Sequence, residues 1–411
     1  MKINLAVLFG GRSVEHEVSI ISAVQAMTNL DTNKYQILPV YISKTNQLFT
    51  GPNLMVMSAY RDVDALLATC SPAQLLVDDG RTWLASAPAH RWAKPQRQVI
   101  DVALPIVHGT GGEDGSLQGW LTMLNLPFAG PDVLGSAVGM DKAVEKALLR
   151  AAGLPVLPEL LIHRGDDWSG DVVTRAEDAF AYPMIVKPAN LGSSIGISKA
   201  QDRDQLLAGL ELAFSFAERV MIEPMVSNLR EINCAVLGNL DRVDLSECEE
   251  PIMTDDILSF RDKYVGGTAA KGGKSAGAAA SSAGAKQAES AGMASLKRLL
   301  PAPISPTQRS QIQSLAKETF CCLGLEGVTR VDFLMDGVSG QIWINEVNTI
   351  PGSLAFYLFE PVGLPYPALL DRLVELAMAR FRRQQDVTLA FDSNILAGAA
   401  IGGSKGAKSA S

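Results

Sequence analysis

Apolar runs alternate with polar, glycine-rich turns along the first third of the chain. Residues 3–9 form a short, nearly unbroken apolar run, the pattern of a strand buried on both faces. Gly10-Gly11-Arg12-Ser13 follows as a turn with a helix cap, and the spacing predicts a helix to about residue 27. Further strands are predicted at 36–42 and 101–107. The second of these runs into His108-Gly-Thr-Gly-Gly-Glu113-Asp-Gly-Ser116 and a helix over 116–124. This strand–turn–helix alternation predicts a parallel α/β domain, in which ligands gather beyond the carboxyl ends of the strands.

The pattern changes near residue 130. A helix is predicted over 141–152, stopped by Gly153 and Pro155. A short apolar strand at 183–188 carries Lys187 and leads into the tight loop Gly192-Ser193-Ser194-Ile195-Gly196, then a strand at 197–199 and a helix at 205–218. Strands are predicted at 220–223, 231–237 and 242–245. Two more, at 329–335 and 343–348, flank Asp336-Gly337-Val338-Ser339-Gly340 and read as a hairpin. Residues 367–382 have the spacing of an amphipathic helix. The expected units are 1–130, 131–222 and 223–386, followed by a tail at 387–411. Residues 266–293 are almost all Gly, Ala, Ser and Lys. They cannot bury enough apolar surface to offset ordering entropy, so a mobile loop is expected there.

Composition narrows the class. The 411 residues are 47% hydrophobic and 19% charged, and the net charge of −8 argues against nucleic acid as a partner. No apolar run has bilayer length, so no membrane partner is expected, and the N-terminal run reads as a buried strand rather than a secretory signal. Five cysteines with no C-x-x-C spacing predict neither a disulfide framework nor a zinc site, which fits a reducing cytoplasm. The four histidines show no ligand spacing either.

The predicted hairpin carries the chemistry. Residues two apart on a strand share a face, so Arg330 pairs with Asp332, and Glu346 with Asn348. Three hard oxygen ligands and one arginine then meet on one surface. Such a set suits Mg²⁺ shared with substrate phosphates, and so points to ATP chemistry. The Gly192–Gly196 loop after Lys187 suits phosphate, although an ordinary hairpin has the same look. Glu223 and Glu231 suit an adenine amino group and a ribose hydroxyl, or else plain solvent. Glu15 suits either a substrate amine or the dipole of its own helix. His108 ends a strand with Glu113 placed as its partner. Gly267-Thr-Ala-Ala-Lys-Gly-Gly-Lys274-Ser275 imitates a P-loop, but its spacing is off by one and no strand precedes it.

Taken in order, several of these segments resemble the D-alanine–D-alanine ligase family of the ATP-grasp superfamily. They are Gly10-Gly-Arg-Ser-Val-Glu15-His-Glu-Val18-Ser19, His108 to Gly119, Met140-Asp-Lys142, Ile185-Val-Lys187-Pro, Gly192-Ser193-Ser194, Arg330-Val-Asp332 and Asn345-Glu346-Val-Asn348-Thr-Ile-Pro-Gly352. The resemblance spans roughly residues 3–385, apart from the low-complexity segment. It implies an N-terminal α/β substrate domain followed by a two-lobed ATP-grasp fold. It also implies an ADP-forming reaction that joins two D-alanines through a D-alanyl phosphate, for peptidoglycan, with Mg²⁺ or Mn²⁺ as cofactor. Lys142, Lys187 and Ser193 then look like phosphate ligands, Glu223, Val226 and Glu231 like nucleoside ligands, and Asp332, Glu346 and Asn348 like metal ligands. Glu15, Val18, His108, Tyr357 and Leu358 fall at substrate positions. Arg330 and the Gly352 N–H match an oxyanion-stabilising pair, and Lys263-Tyr264 resembles a lid-loop pair. A homodimer and a cytoplasmic location suit the resemblance.

The chain departs from the family pattern twice. Tyr357 stands where the family usually has a serine that holds the second substrate's carboxylate, and the lid loop is swollen by residues 266–293. Three alternatives stay open: a ligase with D-serine or D-lactate as acceptor, a nucleotide-binding regulatory protein without turnover, and a phosphotransferase on the same scaffold.

Overall fold

The structure is a computed structural model and describes residues 2–87, 96–168, 170–252 and 297–388. Lys263, Tyr264, the low-complexity segment and nearly all of the expected tail lie outside the described residues. Three sheets carry the architecture. The first contains β1 (Ile3–Gly10), β2 (Tyr35–Ile42), β3 (Leu48–Thr50), β4 (Ser71–Asp78), β5 (Arg81–Ser86), β6 (Gln96–Val99) and β7 (Val102–Ile106), in the order β6-β5-β4-β3-β2-β1-β7. β1 pairs in parallel with β2 and β7, as the alternation predicts, and is fully buried from Leu5 onward.

An antiparallel extension, β3–β6, which the alternation did not predict, widens this sheet. Strands β4 and β6 leave many positions exposed, so they lack the continuous apolar run that marked β1. The helix His16–Asn29 begins three residues beyond the predicted cap, and its capping position is Glu15.

The second sheet holds β8 (Leu160–His163), β9 (Met184–Pro188), β10 (Ser198–Ala200) and β11 (Arg219–Pro224), in the order β10-β9-β11-β8. The third holds β12 (Leu229–Gly238), β13 (Val243–Pro251), β14 (Arg298–Leu299), β15 (Gly327–Asp336) and β16 (Ile342–Asn348). Its order, β14-β13-β12-β15-β16, leaves β16 on the edge. The predicted hairpin is there, with Asp332 opposite Glu346 and Arg330 opposite Asn348. A bulge follows Asp332, where Phe333 pairs with Ile344 and leaves Asn345 as the extra residue.

One apolar core spans distant parts of the chain. Leu5, Val7 and Phe9 of β1 cluster with Leu237 of β12 and with Leu369, Leu370 and Leu373 of the helix Tyr366–Gln385. The C-terminal helix thus closes over the first sheet. Arg380, on its last turns, is buried and donates to the carbonyls of Phe128 and Gly130, both at 2.6 Å. Its guanidinium also sits 4.4 Å from the Phe128 ring centroid. Arg380→Ala leaves two buried carbonyls without donors and should cost about 2–4 kcal/mol of stability. A urea melt showing an unchanged midpoint would count against this docking role.

Candidate functional site

The second and third sheets and the helix Lys142–Ala151 meet around a cleft lined by Lys142, Lys187, Ser194, Glu223, Val226, Glu231, Asp332 and Glu346, with apolar walls from Leu157, Ile185, Met225 and Leu334. The strand Met184–Pro188 holds Lys187 with alternate residues in the core. The helix Lys142–Ala151 places Lys142 at its first position, after Asp141 caps it by accepting from Val144 N–H.

Every cation facing the cleft has a carboxylate partner. Lys142 Nζ lies 3.1 Å from Glu346 Oε2 and donates to the Leu191 carbonyl at 2.7 Å. Burial works against its charge, but Glu346, together with Glu145 and Glu15, holds the ammonium above its ordinary pKa. Lys187 lies 2.9 Å from Glu223 Oε2 and donates to Asn345 Oδ1 at 3.2 Å. Glu223 is buried, not solvent-facing, and also pairs with the fully buried Lys146. Burial raises its pKa, yet Lys187 and Lys146 together hold it below the usual carboxylate range. Both Glu223 oxygens are therefore engaged by lysines, and the backbone that follows lines the cleft as far as Val226.

Lys146 was not singled out in the sequence. The signal was present, because it lies four residues after Lys142 on the same helix face.

The oxygen set forms as the hairpin register predicts. Arg330 grips Asp332 through two bonds of 2.6 and 2.7 Å, and Asn348 Nδ2 donates to Asp332 Oδ2 at 3.0 Å. Burial opposes the Arg330 charge, but Asp332, together with Tyr357 and Glu249, raises its pKa well above the ordinary value. Two carboxylates and one amide on adjacent strands make a hard-oxygen set that fits Mg²⁺ or Mn²⁺, with open positions for phosphate. No group of three or more His, Cys, Asp or Glu suited to a metal occurs among the described residues.

A second group lies beside the glycine loops. Ser193 and Ser194 both adopt left-handed backbone, with φ of 56° and 57°. That turn carries the Ser193 hydroxyl to a hydrogen bond with Glu15, which is buried and does not cap its own helix. A Cβ at Gly109 would fall 2.6 Å from Glu15 Oε2, so only glycine lets that loop close over the carboxylate.

His108 does not pair with Glu113 as expected. Its Nε2 lies 3.0 Å from Ser22 Oγ, which in turn accepts from Ser353 N–H at 3.0 Å. Glu113 instead accepts from Gly109 N–H at 2.7 Å and Ile350 N–H at 3.0 Å. Backbone donors at fixed positions outcompete a histidine that Ser22, on the helix His16–Asn29, already holds. Burial and the nearby Glu15 charge push the Glu113 carboxyl up to about 8.

Beyond Gly352, residues Ser353, Leu354 and Ala355 all have φ between 50° and 55°. Three successive left-handed non-glycine residues are strained backbone, held by the Ser22 bond and full burial. The turn delivers Tyr357 to a pocket away from the sequence-based picture of a free hydroxyl. Its hydroxyl donates to Glu249 at 3.2 Å, and Arg298 stacks 3.8 Å from the ring centroid. Arg298 and Asn233 also donate to Glu249, at 2.7 and 3.0 Å. Burial, then Glu249, push the Tyr357 hydroxyl up to about 12. Sequence reasoning missed Glu249 and Arg298, which lie 49 residues apart with no motif to link them. The Leu358 and Val18 side chains are buried, Leu358 within the main core.

Comparisons with known proteins accord with this arrangement. The family model described as "D-ala D-ala ligase N-terminus" matches residues 4–131, and "D-ala D-ala ligase C-terminus" matches 148–289 and 284–375. The chain belongs to the D-alanine–D-alanine ligase family. It is 38% identical to the D-alanine–D-alanine ligase of Sodalis glossinidius, over 94% of this chain and 98% of that one. The D-alanine–D-alanine ligase structure from Coxiella burnetii superposes with a TM-score of 0.76 at 30% identity, covering 94% and 96%. The VanG D-Ala:D-Ser ligase structure from Enterococcus faecalis gives 0.72 at 28%, covering 92% and 100%. The mixed α/β architecture with its ATP-grasp lobes is therefore the family's.

One titration follows from the site. His108 is buried away from water, and burial pulls its pKa down to about 4. The unfolded imidazole titrates near 6.5, so the folded state should lose stability as pH falls from about 6.5 towards 4. An NMR titration should show the His108 ring neutral and flat between pH 8 and 5. A midpoint near 6.5 would mean that the ring is hydrated.

Proposed function

We propose that this protein joins two D-alanine molecules with ATP, giving ADP, phosphate and D-alanyl-D-alanine for peptidoglycan. The observation that carries the reading is the cleft itself. Lys142, Lys187, Asp332 and Glu346 line it, Arg330 and Asn348 are bonded to Asp332 behind them, and Ser194 lines it beside Ser193, which bonds Glu15. We read the chain as a substrate domain at 1–130 and two nucleotide-binding lobes at 131–222 and 223–386, acting in a cytoplasm.

In this reading Asp332, Glu346 and Asn348 hold Mg²⁺ or Mn²⁺, which when bound neutralises the charge that develops on the transferring phosphoryl group. Lys142 and Lys187 bind phosphate oxygens, at the expense of their bonds to Glu346 and Glu223. Ser193 orients the chain near the transferring phosphate and fixes Glu15, which takes the ammonium of the first D-alanine. The first carboxylate becomes an acyl phosphate, and the second D-alanine's amine then attacks it. Arg330 and the Gly352 N–H face the oxyanion that forms. Arg330 is held in place by both Asp332 oxygens, so little reorganisation is needed when charge appears. Water must be kept out during these steps, or the acyl phosphate hydrolyses.

Incubation with Mg²⁺-ATP and D-alanine alone should release ADP and one dipeptide per ADP, identified by mass spectrometry. ADP with no dipeptide, tested against D-serine and D-lactate as well, would overturn the acceptor. Glu346→Ala should abolish metal-dependent turnover in a folded protein. Arg330→Met should lower kcat by about 10²–10³ with a smaller effect on the D-alanine KM.

A further inference from the structure

The strand β16 bears two of the three proposed metal ligands, and it is an edge strand. The outward N–H groups of an edge strand need partners from elsewhere in the fold. The segment that begins with Lys142 supplies them. Ile344 N–H donates to the Pro155 carbonyl at 2.8 Å, and Val347 N–H donates to Glu145 Oε2 at 3.3 Å. Val347 lies between Glu346 and Asn348. Glu145 is wholly buried, and its other oxygen, Oε1, has no hydrogen-bond partner. On its helix it stands beside Lys146 and three residues after Lys142, the two lysines that meet Glu223 and Glu346.

A buried carboxyl with one bare oxygen is costly, and the reaction described above makes no use of it. Its hydrogen bond goes to the backbone between two metal ligands. We infer that Glu145 is a positioning residue. Through the Val347 N–H it fixes β16 against the phosphate-binding helix, and so sets the spacing between Glu346, Asn348 and the lysines. The link to the metal rests on the ligase reading; the hold on β16 does not. The acceptor oxygen is what matters in this account, rather than the charge, which separates it from a plain electrostatic balance with Lys142 and Lys146.

The test compares Glu145→Ala with Glu145→Gln, because glutamine keeps an acceptor oxygen and drops the charge. In ligand-free protein, amide hydrogen exchange at Val347 should be much faster in E145A and near wild type in E145Q. Mg²⁺ titrations, followed by thermal shift with a non-hydrolysable ATP analogue, should show a midpoint raised about tenfold in E145A, within the usual range for a residue behind metal ligands. E145Q should regain most of that affinity, and KM for D-alanine should change little in either variant. Should E145A fail to fold, Glu145→Met removes the acceptor at similar volume. Equal defects in E145Q and E145A would overturn the proposal in favour of charge balance. An unchanged Val347 exchange in E145A would overturn it outright. If wild-type protein bound no Mg²⁺-nucleotide, the ligase reading would fail, while the exchange comparison would still decide whether Glu145 holds β16.

Discussion

Buried cations must be neutralised, and this constraint organises the whole centre of the molecule. Lys142, Lys146, Lys187 and Arg330 are all buried, and each lies against Glu346, Glu223 or Asp332. A charge in the interior without a partner costs several kcal/mol. The carboxylates thus keep the site folded before any phosphate arrives. The partners come from different sheets, since Glu223 ends β11, Glu346 lies on β16 and Asp332 on β15. Of these pairs, Lys142–Glu346 ties the helix Lys142–Ala151 to the third sheet, whereas Lys187–Glu223 lies within the second sheet and Arg330–Asp332 within β15. In the proposed reading, a metal ion at Glu346 and phosphate at Lys142 and Lys187 would replace these internal pairs, so neither side is left bare.

The first sheet contributes through backbone geometry more than through charge. Left-handed turns at Ser193–Ser194 and Ser353–Ala355 bring two loops from outside that sheet onto Glu15 and Ser22 at the start of the helix His16–Asn29. Glu113 then ties the Gly109 loop to Ile350, just ahead of Gly352. Substrate groups would therefore be held between elements far apart in sequence. The strain in those turns is offset by burial of the surrounding core, in which the C-terminal helix packs on β1.

The acceptor side differs in kind. The Tyr357 hydroxyl donates into a buried group of Glu249, Arg298 and Asn233, so its phenol serves as fixed wall rather than as a swinging donor. A rigid wall discriminates by shape, and shape separates small acceptors only modestly. In the proposed reading, the charge that recognises an acceptor carboxylate would fall to Arg330 and to backbone N–H groups.

The sequence by itself determined the parts that depend on local periodicity. The period-two spacing of Arg330, Asp332, Glu346 and Asn348 placed four groups on one face, and the register of β15 against β16 could follow only from the turn between them. The buried β1 run and the helix capped at Asp141 were legible for the same reason, because apolar spacing and caps are short-range signals. Only the tertiary structure decided which charges meet. Glu223 finds Lys146 and Lys187, Glu113 finds Ile350 instead of His108, and Tyr357 finds Glu249. The weak strands β3–β6 were likewise hidden, since they depend on pairing with neighbours more than on apolar runs of their own. A buried ion pair or a cross-sheet hydrogen bond leaves no period in the chain. It is chosen by packing, through the desolvation cost of every arrangement that leaves a charge or a donor alone.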